Sequence, residues 1–125
     1  ISLENSVKFV IQCLKNMDKG EVFIPKMPSV YIKELIKTIS PNLSIKISGV
    51  RPGEKIDELL VSKDESVQTV ETKGEYIIFP NNTFVKSKLS KKFKKKKNSK
   101  IFEYNSKNNR DFLSSKKLKN FLKNF

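Results

Sequence analysis

The charge on this chain is segregated, and that segregation limits what the chain can fold into. Residues 1–85 hold eleven Lys/Arg and eleven Asp/Glu and are neutral. Residues 86–125 hold fifteen Lys/Arg and two Asp/Glu, which equals the net charge of +13 for the whole chain. A self-repelling lysine run does not collapse into a core. Folding therefore rests on the neutral part, with whatever the last residues add to it. At 125 residues the chain makes one small domain with a modest core.

Composition removes several chemistries. There is no His and no Trp, so general acid–base work near pH 7 falls to another residue type. The single cysteine, Cys13, excludes an intrachain disulfide and a Cys-cluster metal site. Its apolar helical neighbours mark it as a structural thiol rather than a nucleophile. No apolar run reaches the roughly 18 residues of a membrane span. No signal-peptide pattern is visible, so the expected compartment is the cytoplasm. The chain opens on Ile1 rather than Met, as expected of a fragment or a processed product.

Periodicity then places the elements. Leu3, Val7, Val10, Ile11 and Leu14 recur at helical spacing, with Ser2 as cap and a turn at Asp18-Lys19-Gly20. Val22-Phe23-Ile24 reads as a strand stopped by Pro25. Ser29 is the expected N-cap of a helix over 31–40, with Ile32, Leu35, Ile36 and Ile39 inward. Residues 44–50 alternate and predict a strand with one solvated face. Residues 57–60 are a short helix or an extended segment. Asp64-Glu65-Ser66 reads as a turn or helix start, and 67–71 fits either element type. Residues 75–79 are a further strand. Residues 101–104 are strand-like, 105–111 form a polar turn, and Ser114 or Ser115 caps a last helix over 116–123. The expected fold is a small α/β unit with no second sheet. It divides into residues 1–85, a lysine-rich linker or insert at 86–100, and a strand–turn–helix at 101–125.

The sharpest local signal is Arg51-Pro52-Gly53-Glu54-Lys55. Pro52 fixes φ and Gly53 tolerates positive φ, so Arg51 is presented from a stiff turn. A guanidinium held this way suits a bidentate grip on phosphate or carboxylate. Glu54 is placed to orient it or to bond a sugar hydroxyl. The plain alternative is an ordinary surface turn with an ion pair. Pro25-Lys26-Met27-Pro28-Ser29 is a second stiff loop in which Lys26 is the candidate anion ligand and Ser29 is more simply a cap. Asn105, Ser106, Asn108 and Asn109 form a polar cluster of loop composition. The Lys91–Lys97 block suits phosphate backbones or an anionic membrane surface. No RNA-binding aromatic motif or zinc-finger spacing accompanies it.

Taken together, several segments resemble the C-terminal, substrate-binding part of bacterial polysaccharide-biosynthesis enzymes. These are extended short-chain dehydrogenase/reductases similar to the UDP-N-acetylglucosamine 4,6-dehydratases. The resemblance runs through Ile1-Ser2-Leu3-Glu4 and its helix, then Gly20-Glu21-Val22-Phe23-Ile24-Pro25-Lys26-Met27-Pro28-Ser29. It continues through ISGVRPGEKIDE at 47–58, where relatives typically have His in place of Asp57, and through 76–80. It ends on Tyr104-Asn105-Ser106 with Asn109 and Phe112-Leu113. The resemblance implies that Arg51 grips the UDP diphosphate and that Glu54 supports Arg51 or contacts the ribose. It implies that Pro25 and Lys26 lie along the nucleotide, and it includes Asn109 in the substrate site. The family's NAD(P) site and its Tyr-x-x-x-Lys pair lie in a Rossmann core that is absent from this stretch. Leu35 follows Tyr31 at the fourth position and Pro80 follows Tyr76, so neither tyrosine makes that pair.

The implied partners are a UDP-sugar, a Rossmann half or separate cofactor-binding chain, and further copies in a homo-oligomer. The implied reaction oxidises C4 of the hexose with NAD or NADP, eliminates water across C5–C6 and returns hydride to C6. A 4-epimerase, which returns hydride to C4, fits the same residues. Two other readings use different features. One is a basic module binding nucleic acid or an anionic surface, and the other is a non-catalytic domain completing another chain through its apolar helices.

Overall fold

The fold follows from a computed structural model that describes residues 1–80, 88–93 and 100–123. Its elements are α1 (Leu3–Asn16), β1 (Val22–Pro25), α2 (Ile32–Ile39), β2 (Leu59–Val61), α3 (Lys63–Ser66), β3 (Thr69–Glu71), β4 (Glu75–Ile78), α4 (Lys88–Phe93), β5 (Tyr104–Asn105) and α5 (Ser115–Leu122). The result is a mixed α/β chain with small sheets. It forms two compact units, one of Ile1–Met27 with Leu59–Tyr104 and one of Pro28–Glu58 with Asn105–Phe125.

The first unit is built on a three-stranded sheet of order β1-β4-β3, antiparallel throughout. Strand alternation sends Ile24, Tyr76 and Ile78 to one face, where they pack with Val61, Phe102 and Tyr104. It sends Phe23, Val70 and Ile77 to the other face, with Phe79, Leu89 and Phe93. Pro25 ends β1 at the sheet edge, where a missing N–H costs no ladder bond. The turn before β1 is held by Glu21, which is buried. Its Oε2 accepts the Asp18 and Lys19 N–H groups at 2.9 Å each. Gly20 sits there at φ +81°, a conformation that favours glycine.

Helix starts follow the serines. Ser2 Oγ accepts the Asn5 N–H, and Ser62 forms a reciprocal capping box with Glu65. Ser114 Oγ accepts the Lys117 N–H. α1 is amphipathic but buries no residue, and its apolar side chains Leu3 and Leu14 are 81% and 65% exposed. In the second unit α2 packs on α5, whose Leu118 is buried.

Three sequence expectations are corrected. Residues 44–50 form no strand. They are exposed along their whole length, and an alternating pattern without a neighbouring strand gains neither ladder bonds nor burial. A second sheet does exist, in which β2 pairs with β5. Ser29 does not cap α2. Tyr31 stands at the N-cap position and makes no side-chain capping bond there. The expected strand at 101–104 is realised as Tyr104–Asn105, and the ambiguous 67–71 yields β3. Most of the expected 86–100 linker, including residues 94–97 of the lysine run, lies outside the described residues, as does Phe84.

Candidate functional site

The Arg51 turn takes the form its sequence dictates. The Glu54 N–H donates to the Arg51 carbonyl at 3.0 Å. Gly53 sits at φ +85° behind Pro52, the arrangement of a type II turn. The Glu54 carboxylate folds back and accepts the Arg51 backbone N–H at 2.9 Å. It also stands 3.9 Å from the Arg51 Nε. The Arg51 side chain is 80% exposed, so it can reach an anion while its backbone is fixed at both ends.

Asn109 belongs to the same unit and is held from several sides. Its Nδ2 donates to Ser29 Oγ at 2.9 Å, and its Oδ1 accepts the Asp111 N–H at 3.1 Å. Ser29 in turn bridges to the strand-like Phe112. The Ser29 N–H donates to the Asp111 carbonyl at 2.8 Å and the Leu113 N–H to the Ser29 carbonyl at 2.9 Å. Tyr31 stacks on Phe112 with ring centroids 4.9 Å apart. Asn105 Oδ1 accepts the Asn108 N–H at 2.7 Å, so the polar loop is shaped by its own side chains. Ser106 Oγ accepts the Glu58 N–H at 2.9 Å.

Pro25 and Lys26 lie in the first unit. The Lys26 ammonium donates to Glu71 Oε1 at 2.7 Å and to the Thr72 carbonyl at 2.6 Å. It also stands 4.9 Å from the centroid of the Tyr76 ring. Lys26 is thus anchored to the end of β3 in this structure. The structure brings Arg51 to Glu54 and Asn109 to Ser29. Ser29 has the sequence character of a cap, and its pairing with Asn109 is a long-range contact that periodicity does not reveal. Tyr104 likewise stands in sequence only as the first residue of Tyr104-Asn105-Ser106. Its hydroxyl accepts the Met27 N–H at 2.9 Å and donates to the Met27 carbonyl at 3.1 Å, fixing the loop that follows Lys26.

Burial, and secondarily the Glu75 carboxylate, push the Cys13 thiol up, away from thiolate reactivity. Burial also pushes the Glu75 carboxyl up. No cluster of His, Cys, Asp or Glu suited to a metal occurs among the described residues. The four glycines, Gly20, Gly49, Gly53 and Gly74, form no dinucleotide fingerprint. No helix among the described residues is long and apolar enough to cross a membrane.

Comparison with known proteins gives this geometry a family. A family profile described as polysaccharide biosynthesis protein matches residues 1–80. A UDP-N-acetylglucosamine 4,6-dehydratase (inverting) of Campylobacter jejuni subsp. jejuni serotype O:2 is 42% identical over 94% of this chain and 37% of its own length. A Methanocaldococcus jannaschii protein, described as an uncharacterized membrane protein, is 34% identical over 98% of this chain and 37% of its own. The X-ray structure of Pen from Bacillus thuringiensis superposes with a TM-score of 0.75 at 29% identity, over 99% of this chain and 36% of that one. The chain spans 37% of the length of these curated relatives. With its Arg51 turn and Asn109 loop inside the matched stretches, the chain belongs to the polysaccharide biosynthesis protein family.

Proposed function

We propose that this chain supplies the nucleotide-sugar-binding portion of a UDP-N-acetylglucosamine 4,6-dehydratase. The observation that carries the reading is the 42% identity with the C. jejuni dehydratase along 94% of the chain. Residues 1–85 and 101–125 make up that portion, and 86–100 is a lysine-rich insert within it. The exposed Arg51 fork receives the diphosphate, because its side chain is 80% exposed and a guanidinium offers two parallel N–H donors to an anion. Glu54 fixes the turn through the Arg51 backbone N–H and steadies the guanidinium from 3.9 Å at Nε. Asn109 shapes the loop beside Ser29 and offers its carboxamide to the substrate. Pro25 and Lys26 line the nucleotide, with Lys26 exchanging its Glu71 contact for the ligand or sharing it.

The cofactor, NAD or NADP, is held by a Rossmann portion corresponding to the remaining length of the relatives. That portion, on the same or a separate chain, supplies the redox and elimination chemistry. Exposed apolar side chains such as Leu3, Ile47 and Ile56, which are 81%, 72% and 81% exposed, support packing against such a portion. The assembled enzyme is a cytoplasmic homo-oligomer in this reading.

The test is titration of UDP-N-acetylglucosamine by calorimetry, with wild type and Arg51→Ala compared. Saturable binding that weakens at least tenfold in the variant, about 1.4 kcal/mol, is the expected result. Equal binding by both removes Arg51 from the site. Absence of binding by the folded wild type removes the autonomous site.

A further inference from the structure

Residues 44–48 have the sequence of a strand and none of its bonds. Ile45 and Ile47 are β-branched and alternate with Ser44, Lys46 and Ser48, between the Pro41-Asn42 stop and the Pro52-Gly53 turn. Every residue of 44–50 is exposed, Ile47 to 72%. From Ser44 to Val50 no backbone N–H or carbonyl has a hydrogen-bond partner among the described residues. The chain then runs through Gly49, at φ +86°, into the Arg51 turn.

A strand-ready segment left in water is a template for unwanted pairing, and folded proteins cover such segments. The chain does not cover this one itself. β1 and β3 are the two edges of the three-stranded sheet, and neither takes up 44–48. Two copies paired through 44–48 would form a two-stranded ribbon, which is marginal in water. Addition to the edge of a sheet that already packs one face is stable, because the new ladder bonds join an existing core. The relatives have room for that sheet. This chain spans 37% of the C. jejuni dehydratase and 36% of Pen, on which it superposes with a TM-score of 0.75, so the greater part of each lies outside the match.

We propose that residues 44–48 add as a strand to an exposed sheet edge of the cofactor-binding portion, and that this pairing aims the Arg51 turn. The proposal rests on the nucleotide-sugar reading for the existence of that portion. The turn is stiff within itself, through the Glu54 contacts, but it is entered from coil that bonds to nothing. Pairing fixes Ser48, three residues before Arg51, and Gly49 supplies the bend between them. Ile45 and Ile47 then share the apolar face of the extended sheet, and Lys46 keeps the solvated one.

The test grafts residues 41–58 of this chain into the intact C. jejuni dehydratase and compares amide hydrogen exchange over 44–48 in the graft and in the full chain alone. The full chain should exchange there like an unstructured peptide at every concentration. The graft should slow exchange at least about tenfold on alternate residues, because a strand on a sheet edge gives every second N–H to the ladder. Lys46→Pro and Ile47→Pro remove N–H groups that point to opposite edges. Each should leave the thermal midpoint of the full chain unchanged, because no hydrogen bond is lost. In the graft one of the two should lower the midpoint and the UDP-N-acetylglucosamine affinity, and the other should be tolerated.

A folded graft without protection at 44–48 overturns the proposal, as does a graft that cannot fold, since the segment then cannot take its place in that enzyme. Protection in the full chain alone overturns it in favour of pairing within the chain, or of a second copy where protection grows with concentration. Titration of the graft with UDP-N-acetylglucosamine, with and without Arg51→Ala, judges the nucleotide-sugar reading separately. Binding indifferent to Arg51 in a protected graft removes the diphosphate role and leaves the strand pairing standing. Arg51-dependent binding in an unprotected graft does the reverse.

Discussion

Asn109 donates its side-chain amide to Ser29 Oγ at 2.9 Å, joining positions eighty residues apart in the chain. The bond ties the polar loop after β5 to the stiff segment before α2. Because Ser29 also exchanges backbone bonds with Asp111 and Leu113, the two segments form a short parallel bridge locked by one side-chain pair.

Removing either partner should cost about 1 kcal/mol, and Asn109→Ala should cost more because its Oδ1 also holds the Asp111 N–H. A double-mutant cycle with Ser29→Ala, read by urea unfolding, should show a coupling of about 1 kcal/mol. Effects that simply add, within about 0.3 kcal/mol, would mean that the pair is not formed in solution.

The Tyr104 hydroxyl is the corresponding device in the first unit. It serves the Met27 N–H and carbonyl together, from a ring that packs on Tyr76 with centroids 4.8 Å apart. Tyr104→Phe keeps the ring and deletes both bonds in a buried setting. The expected loss is about 1–3 kcal/mol in chemical denaturation, with an unchanged far-ultraviolet spectrum. A loss below about 0.5 kcal/mol would show that water replaces the hydroxyl without cost.

These two contacts also mark where sequence reading stops. Ser2 as a cap, the turn at Gly20, β1, β4 and α5 follow from local chemistry, and local chemistry is visible in order along the chain. Residues 44–50 alternate as a strand should, yet remain exposed coil, because a strand needs a partner that periodicity cannot supply. Ser29 carries the chemistry of a cap, but its hydroxyl goes to Asn109, a partner chosen by tertiary structure. The Arg51 turn was legible because Pro52 and Gly53 dictate its backbone locally. Lys26 was legible as a cation but not as the partner of Glu71, forty-five residues away.

Two glutamates of the first unit contribute to its pH dependence with opposite signs. Hydrogen bonds from the Ser62 backbone and side chain hold Glu65 below the usual carboxylate range. Its contribution is present above the unfolded value of about 4.3 and is lost as pH falls through the lower folded value. Burial holds Glu75 above that range, so its contribution is present below the unfolded value and is lost as pH rises through the folded one. Glu75→Gln should therefore raise the thermal midpoint at pH 7 and leave it little changed at pH 4. Because the Glu75 charge also helps to push the Cys13 thiol up, the same variant should alkylate faster with iodoacetamide at fixed pH. Slower or equal alkylation in a folded sample would remove Glu75 as an influence on Cys13.

The Arg51 turn separates charge from geometry. Arg51→Lys keeps the positive charge and the backbone but replaces a planar fork with a point charge. On the proposed diphosphate role, UDP-N-acetylglucosamine affinity should fall at least tenfold, about 1.4 kcal/mol. The thermal midpoint should not move, because the Arg51 side chain is 80% exposed. Gly53→Ala tests the other half of the arrangement. Open space surrounds the position, but its φ of +85° strains any residue with a Cβ. The turn should distort and affinity should fall with every charge still in place. If Arg51→Lys binds like wild type while Gly53→Ala does not, the turn backbone rather than the guanidinium holds the ligand. If both bind like wild type, the nucleotide-sugar site lies elsewhere on the chain.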